Sequence, residues 1–107
     1  MQISQFLHKI GGTIVHWCPA CHDVHAIPVV RVCAYEKAWD WDGDIVSPTI
    51  AQSVLVSSEG GFVYRRRHCH YFLRAGEIQF LPDCAHALKG LTVPLPPLPD
   101  FLRDPHA

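Results

Sequence analysis

The stretch Trp17-Cys18-Pro19-Ala20-Cys21-His22-Asp23-Val24-His25 organises the reading of this chain. A Cys-x-x-Cys pair on a tight turn brings two thiolates together without straining the backbone, which is how zinc knuckles are built. Such a pair fills half of a tetrahedral site, and a histidine follows four residues beyond the second cysteine. The other half must come from elsewhere, and the chain offers His68-Cys69-His70 and Cys84-Ala85-His86. His22 stands where many knuckles carry glycine, the residue better suited to a left-handed backbone. A thioredoxin-like redox pair is the competing reading. It wants a βαβ setting and a helix starting straight after the first cysteine, and the sequence suggests neither.

A length of 107 residues bounds the chain to one domain, 1–107, and 49% hydrophobic residues suffice for its core. Charged residues make up only 18%, below the usual quarter, consistent with a partner-covered surface or a metal replacing part of the core. A net charge of −1 and a pI near 6.7 argue against a generally basic nucleic-acid coat. The first residues lack the charged start and apolar run of a signal peptide, and no stretch is long enough for a membrane helix. The expected location is therefore the cytoplasm, where thiols stay reduced and Cys-x-x-Cys points to metal. Five cysteines is an odd number, and Cys33, in an apolar run, reads as a buried spare.

Around the knuckle the chain reads as mostly β: a small antiparallel sheet and hairpin fold with a zinc knuckle and one short helical turn. Gln2 to Lys9 is a helical turn or an edge segment ended by Gly11-Gly12, and Thr13 to Trp17 is a strand leading into the cysteines. Ala26 to Tyr35 is a second strand, with Pro28 at its start. Ile50 to Ser57 and Phe62 to Arg67 form a hairpin about Ser58-Glu59-Gly60-Gly61. Cys69 to Leu73 and Ile78 to Leu81 form another about Arg74-Ala75-Gly76-Glu77. Ala85 to Lys89 makes the helical turn, N-capped by Asp83 and stopped by Gly90. The run Pro94 to Pro99 opens a proline-rich C-terminal strap, 94–107, lying extended over the surface.

Strand periodicity constrains the second half of the metal site. If 68–70 is extended, His68 and His70 share one face and Cys69 takes the other, so a regular strand offers either the histidines or the cysteine. Only a bulge or a strand end would let neighbours converge. Asp83 and His86 allow a catalytic reading, with Asp83 orienting His86 as base beside an open zinc position. The favoured reading is a helix cap and a histidine packed beside the metal, because Glu36, Glu59 and Glu77 follow no zinc-hydrolase motif. A Cys84–His86 nucleophile pair is disfavoured, since residues two apart on a strand sit too far apart for proton transfer. Arg65-Arg66-Arg67 reads as a solvated hairpin or a partner for Asp40, Asp42 and Asp44, and Trp39 and Trp41 read as caps on a small core.

Several motifs in order resemble a group of small, uncharacterised phage and prophage proteins often labelled ammonia monooxygenase. They are Cys18-Pro19-Ala20-Cys21, Trp39 to Gly43, Pro48-Thr49 to Ser53, Cys69-His70-Tyr71-Phe72, and Asp83 to Gly90. That label does not suit a chain without a membrane span. Related domains with a similar cysteine turn and a later Ser-His-Phe segment look like companions of bacterial ubiquitin-like conjugation systems. The resemblance favours Cys69 and His70 over His68 as ligands and implies that serine can replace Cys84.

The resulting expectation is a closed, structural Zn2+ site held by Cys18, Cys21, Cys69 and His70, with His86 as alternative ligand or close neighbour. Function would reside in a surface binding an unidentified protein, such as a host factor. The alternatives are a small zinc hydrolase using His86 and Asp83, and a nucleic-acid binder using Arg65 to Arg67 with Trp39 or Trp41.

Overall fold

The computed structural model describes residues 1–30, 38–58 and 67–103. Cys33, Glu36, Glu59, Arg65 and Arg66 lie outside them, with the turn and strand expected over 59–66. The described residues form two small antiparallel sheets, as the mostly β reading expects. In the first, β1 (His8–Ile10), β2 (Thr13–Cys18) and β3 (Asp23–Pro28) lie in sequence order. In the second, β4 (Val54–Ser58), β5 (Arg67–Arg74), β6 (Glu77–Phe80) and β7 (Thr92–Pro94) do the same. No helix among the described residues is long and apolar enough to cross a membrane.

Period-two alternation builds the core. Along β2, Ile14, His16 and Cys18 point inward, and along β3, His25 and Ile27 do. The register sets His16 opposite His25 and Cys18 opposite Asp23. In the second sheet, Cys69, Tyr71 and Leu73 of β5 and Ile78 and Phe80 of β6 are buried, and these residues join those of the first sheet in one hydrophobic cluster. Each large apolar side chain so buried contributes about 1.5–3 kcal/mol.

Three elements differ from the sequence reading. The segment Ala85 to Lys89 makes successive turns, Lys89 N–H to His86 O at 3.3 Å and Leu91 N–H to Leu88 O at 3.0 Å, and no helix. Its expected cap, Asp83, turns its carboxylate to β5 instead, and so short a run cannot repay helix nucleation. The one helical turn among the described residues is a 3-10 turn in the tail, Asp100–Leu102. β4 begins at Val54 rather than Ile50, because Ile50 and Ala51 are held by Leu73, Trp41 and Asp40: Ile50 N–H to Leu73 O at 2.8 Å, Ala51 N–H to Asp40 O at 2.9 Å, and a bridge to Trp41. Its partner is β5, from Val54 opposite Tyr71 to Ser58 opposite Arg67. Pro28 ends β3 rather than starting a strand.

The proline-rich tail ties the two sheets together. Pro94 sits on edge strand β7, where a missing N–H is tolerated. Leu95 and Leu98 are buried; Leu95 N–H bonds Gly76 O and Leu98 N–H bonds Gln5 O, both at 2.8 Å. Phe101 then meets Trp17 edge-on.

Arg74 and Glu77 close the β5–β6 hairpin around Ala75 and Gly76, with φ of 48° and 76°. Positive φ at both positions is the type I′ turn, which favours Asn-Gly. A Cβ on Gly76 would lie 3.1 Å from Ser47 Cα. Gly76→Ala is expected to destabilise by about 1–2 kcal/mol, and Ala75→Asn to stabilise by about 0.5–1 kcal/mol, in urea unfolding.

Candidate active site and metal centre

β5 is a regular strand through the decisive residues. His68 and His70 turn their backbone carbonyls toward the segment after β6, taking N–H bonds from Ala85 and Leu81, each at 2.9 Å. No bulge intervenes in the β4–β5 register. Cys69 and Tyr71 therefore point into the core, and His68 and His70 point to the opposite face.

On the inner face, ligand atoms of Cys18, Cys21, His25 and Cys69 all lie within 4.8 Å of one another. The knuckle turn supplies two of them. His22 N–H closes it on Cys18 O at 3.0 Å, and Cys21 N–H donates to Cys18 Sγ at 3.4 Å. His22 adopts the left-handed conformation after all, φ 53°. Three sulfurs and one imidazole suit a borderline-soft divalent ion, and sulfurs around tetrahedral zinc stand about 3.8 Å apart. Cys18, His25 and Cys69 are almost wholly buried. The Cys69 thiol donating to Cys18, with His25 beside it, pulls Cys18 down to about 3. The same bond and burial push Cys69 far above the ordinary thiol range. A metal ion would replace the shared proton.

His25 is held for this task by Tyr71 and His16. His16 Nδ1 lies 3.2 Å from Trp17 O, an acceptor only, so Nδ1 carries the hydrogen. Burial, then the neighbouring His25, push His16 down to about 4, which keeps it neutral. Its Nε2 therefore accepts the Tyr71 O–H at 2.6 Å, and Tyr71 Oη accepts the His25 Nδ1–H at 3.1 Å. What remains is the lone pair of His25 Nε2, a buried atom with no hydrogen-bond partner. That orphan is what a metal would satisfy.

Cys69 also belongs to a second group with Cys84 and His86. The Cys84 thiol is committed to the His70 backbone, donating to its O at 3.1 Å and accepting its N–H at 3.3 Å. His86 Nδ1 accepts Leu88 N–H at 3.2 Å, its ring stands edge-on to Phe80, and its Nε2 is buried without a partner. Burial lowers its pKa. His86 is thus a close neighbour of the metal group, and the bond to Asp83 that the alternative catalytic reading would need is replaced by others.

Those others form the site on the outer face. His70 Nδ1 lies 3.1 Å from Asp83 Oδ2, and His70 Nε2 lies 3.1 Å from Ser53 Oγ. Serine, histidine and aspartate thus stand in hydrogen-bonded series, with His70 away from the cysteines that the sequence reading grouped with it. His68 Nε2 also reaches Asp83 Oδ2, at 2.9 Å. The His68 bond, then the His70 bond, hold Asp83 below the usual carboxylate range. Ser53 ends the Pro48–Ser53 motif, yet its contact with His70 escaped the sequence reading because nothing local marks where a serine hydroxyl will point. It precedes β4, and Trp39 Nε1–H clamps its carbonyl at 2.9 Å. Asp40 N–H meets Gln52 Oε1 at 2.9 Å, and Gln52 Nε2–H meets Asp40 Oδ2 at 2.5 Å, bracing the segment. Trp39 and Trp41 both pack on the core, and Trp41 Nε1–H caps Asp44 O.

Ser53, His70 and Asp83 stand in the order of a Ser-His-Asp series, beside a Cys/His cluster on a small β fold. The family profile for the bacterial ubiquitination-like system serine protease (BubE) matches residues 2–81, and the chain belongs to that family. The match contains Ser53, His70 and the Cys18–Cys21–His25–Cys69 group, and Asp83 lies just beyond it. Neither the curated proteins nor the solved structures yield a match.

On this geometry the purified protein should contain one equivalent of zinc by elemental analysis, kept in His70→Ala and lost in Cys69→Ser and His25→Ala. Tyr71→Phe should weaken zinc about 10–100-fold in chelator competition by freeing the His25 ring.

Proposed function

We propose that this chain is a serine peptidase acting in a bacterial ubiquitination-like system, with Ser53 as nucleophile, His70 as general base and Asp83 as the group orienting His70. The observation that carries the reading is the 3.1 Å contact of His70 Nε2 with Ser53 Oγ while His70 Nδ1 meets Asp83. Asp83 fixes the tautomer in which Nδ1 holds the hydrogen and Nε2 is free to accept. His70 then takes the Ser53 proton as Oγ attacks the scissile carbonyl, and returns it to the departing amine. The acyl group left on Ser53 is hydrolysed by a water that His70 activates in turn. Asp83 is half exposed, its side chain 51% accessible. Solvent screens its charge, so its contribution is chiefly orientation, shared with His68.

In this reading zinc, held by Cys18, Cys21, His25 and Cys69, is structural: four protein ligands leave no position for a reacting group. That argues against the zinc hydrolase using His86 and Asp83, since Asp83 serves His70. The protein partner expected from the sequence becomes a substrate, and the family match supports a bacterial conjugation-like setting without bearing on phage origin.

An alkyl fluorophosphonate probe should label Ser53, identified by peptide mass, and Ser53→Ala should abolish labelling. Asp83→Asn should slow turnover by about 10²–10⁴-fold, near the effect of losing the orienting carboxylate in serine proteases. Unlabelled Ser53 in zinc-loaded protein would sink the proposal.

A further inference from the structure

The peptidase reading leaves open how a substrate is held, and the register of β4 and β5 bears on this. In an antiparallel ladder a residue's N–H and C=O point to the same neighbour, alternating along the strand. The His70 backbone is spent away from β4: its N–H goes to Cys84 Sγ, and its O takes Leu81 N–H and the Cys84 thiol. Leu55, directly opposite His70, therefore turns its own N–H and C=O away from β5. The contact of Ile50 N–H with Leu73 O fits the same parity, odd residues of β5 facing β4.

Among the described residues β4 is an edge of its sheet. Ser53 shares the parity of Leu55, and Trp39 Nε1–H occupies the Ser53 carbonyl, so the open edge begins just after the nucleophile. The Leu55 side chain is half exposed and stands on the face that carries Ser53 and His70. Ser53 and Leu55 are about 7 Å apart along an extended chain, the span of two residues.

Resting on the peptidase reading, we propose that the substrate binds as an added β-strand along β4. Its backbone pairs with the N–H and C=O of Leu55, about two residues from the scissile carbonyl at Ser53. The substrate class is an extended, unstructured peptide segment, because a folded loop or helix has no free row of backbone groups to pair. The Leu55 side chain offers an apolar contact to the residue paired beside it, while main-chain bonds supply most of the affinity.

The test compares inactivation of zinc-loaded wild type by three probes: an alkyl fluorophosphonate, an acetyl-alanyl phosphonate and an acetyl-trialanyl phosphonate. Alanine side chains keep the comparison to the backbone. The longer phosphonate should label Ser53 at least 10-fold faster than the shorter, and one N-methyl group on a single backbone amide should remove that gain. Leu55→Pro, which deletes an outward N–H, should lose the gain while keeping its fluorophosphonate rate, and Leu55→Ala should keep most of it. Equal rates for the two lengths, or a flat N-methyl scan on wild type, overturn the added strand even if Leu55→Pro misfolds. Ser53 unlabelled by every probe overturns the peptidase reading, and the strand with it.

Discussion

The two-residue repeat of one strand, β5, governs both centres of this protein. With Cys69 turned inward, His70 and His68 must turn outward, since adjacent residues of a regular strand occupy opposite faces. The inward face meets the first sheet, where Cys18, Cys21 and His25 wait within ligand distance of Cys69. The outward face meets Ser53 and Asp83. A single backbone thus separates a buried cluster suited to holding the fold from an accessible series suited to chemistry. Slipping the register by one residue would exchange the faces and destroy both.

The two sheets are joined by more than apolar contact. Cys69 and Tyr71 of the second sheet reach across to Cys18, His25 and His16 of the first. A cluster of thiols and imidazoles so deeply buried is costly unless each group finds a partner. The chain from the Trp17 carbonyl through His16 and Tyr71 to His25 satisfies all but the final nitrogen. In the proposed reading a metal ion completes it, and binding is then folding free energy for a chain of modest core. The strand β5 would be held by that ion through Cys69, one peptide bond from His70.

Ser53 is braced from another direction. The Trp39–Asp42 segment pairs with 49–51, fixes the Ser53 carbonyl through an indole N–H and locks Gln52 to Asp40. A half-buried serine at a strand entrance gains its defined position from these bonds. On the opposite side, Cys84 grips the His70 backbone through its thiol while the preceding Asp83 grips the ring. Residues 83 and 84 thus hold the same histidine at two points, which explains why the segment forsakes the helix that its sequence allows.

Sequence alone determined the class of fold, because β-branched alternation and glycine turns act locally; β2, the Ala75-Gly76 hairpin and the edge-bound prolines were all readable. It also determined that Cys18 and Cys21 converge, since a knuckle is a local structure, and that a regular strand at 68–70 could give Cys69 or the histidines but not both. Tertiary structure decided which of those choices holds. It brought His25, overlooked as a ligand candidate beside the knuckle, toward Cys69, because the β2–β3 register turns its ring to the same side as Cys18. It carried Ser53 and Asp83 to His70 across separations of 17 and 13 residues. Hydrogen-bonded series of this kind depend on distances between strands and loops remote in the chain. No period or spacing in a one-dimensional sequence encodes those distances; the packing of the second sheet sets them.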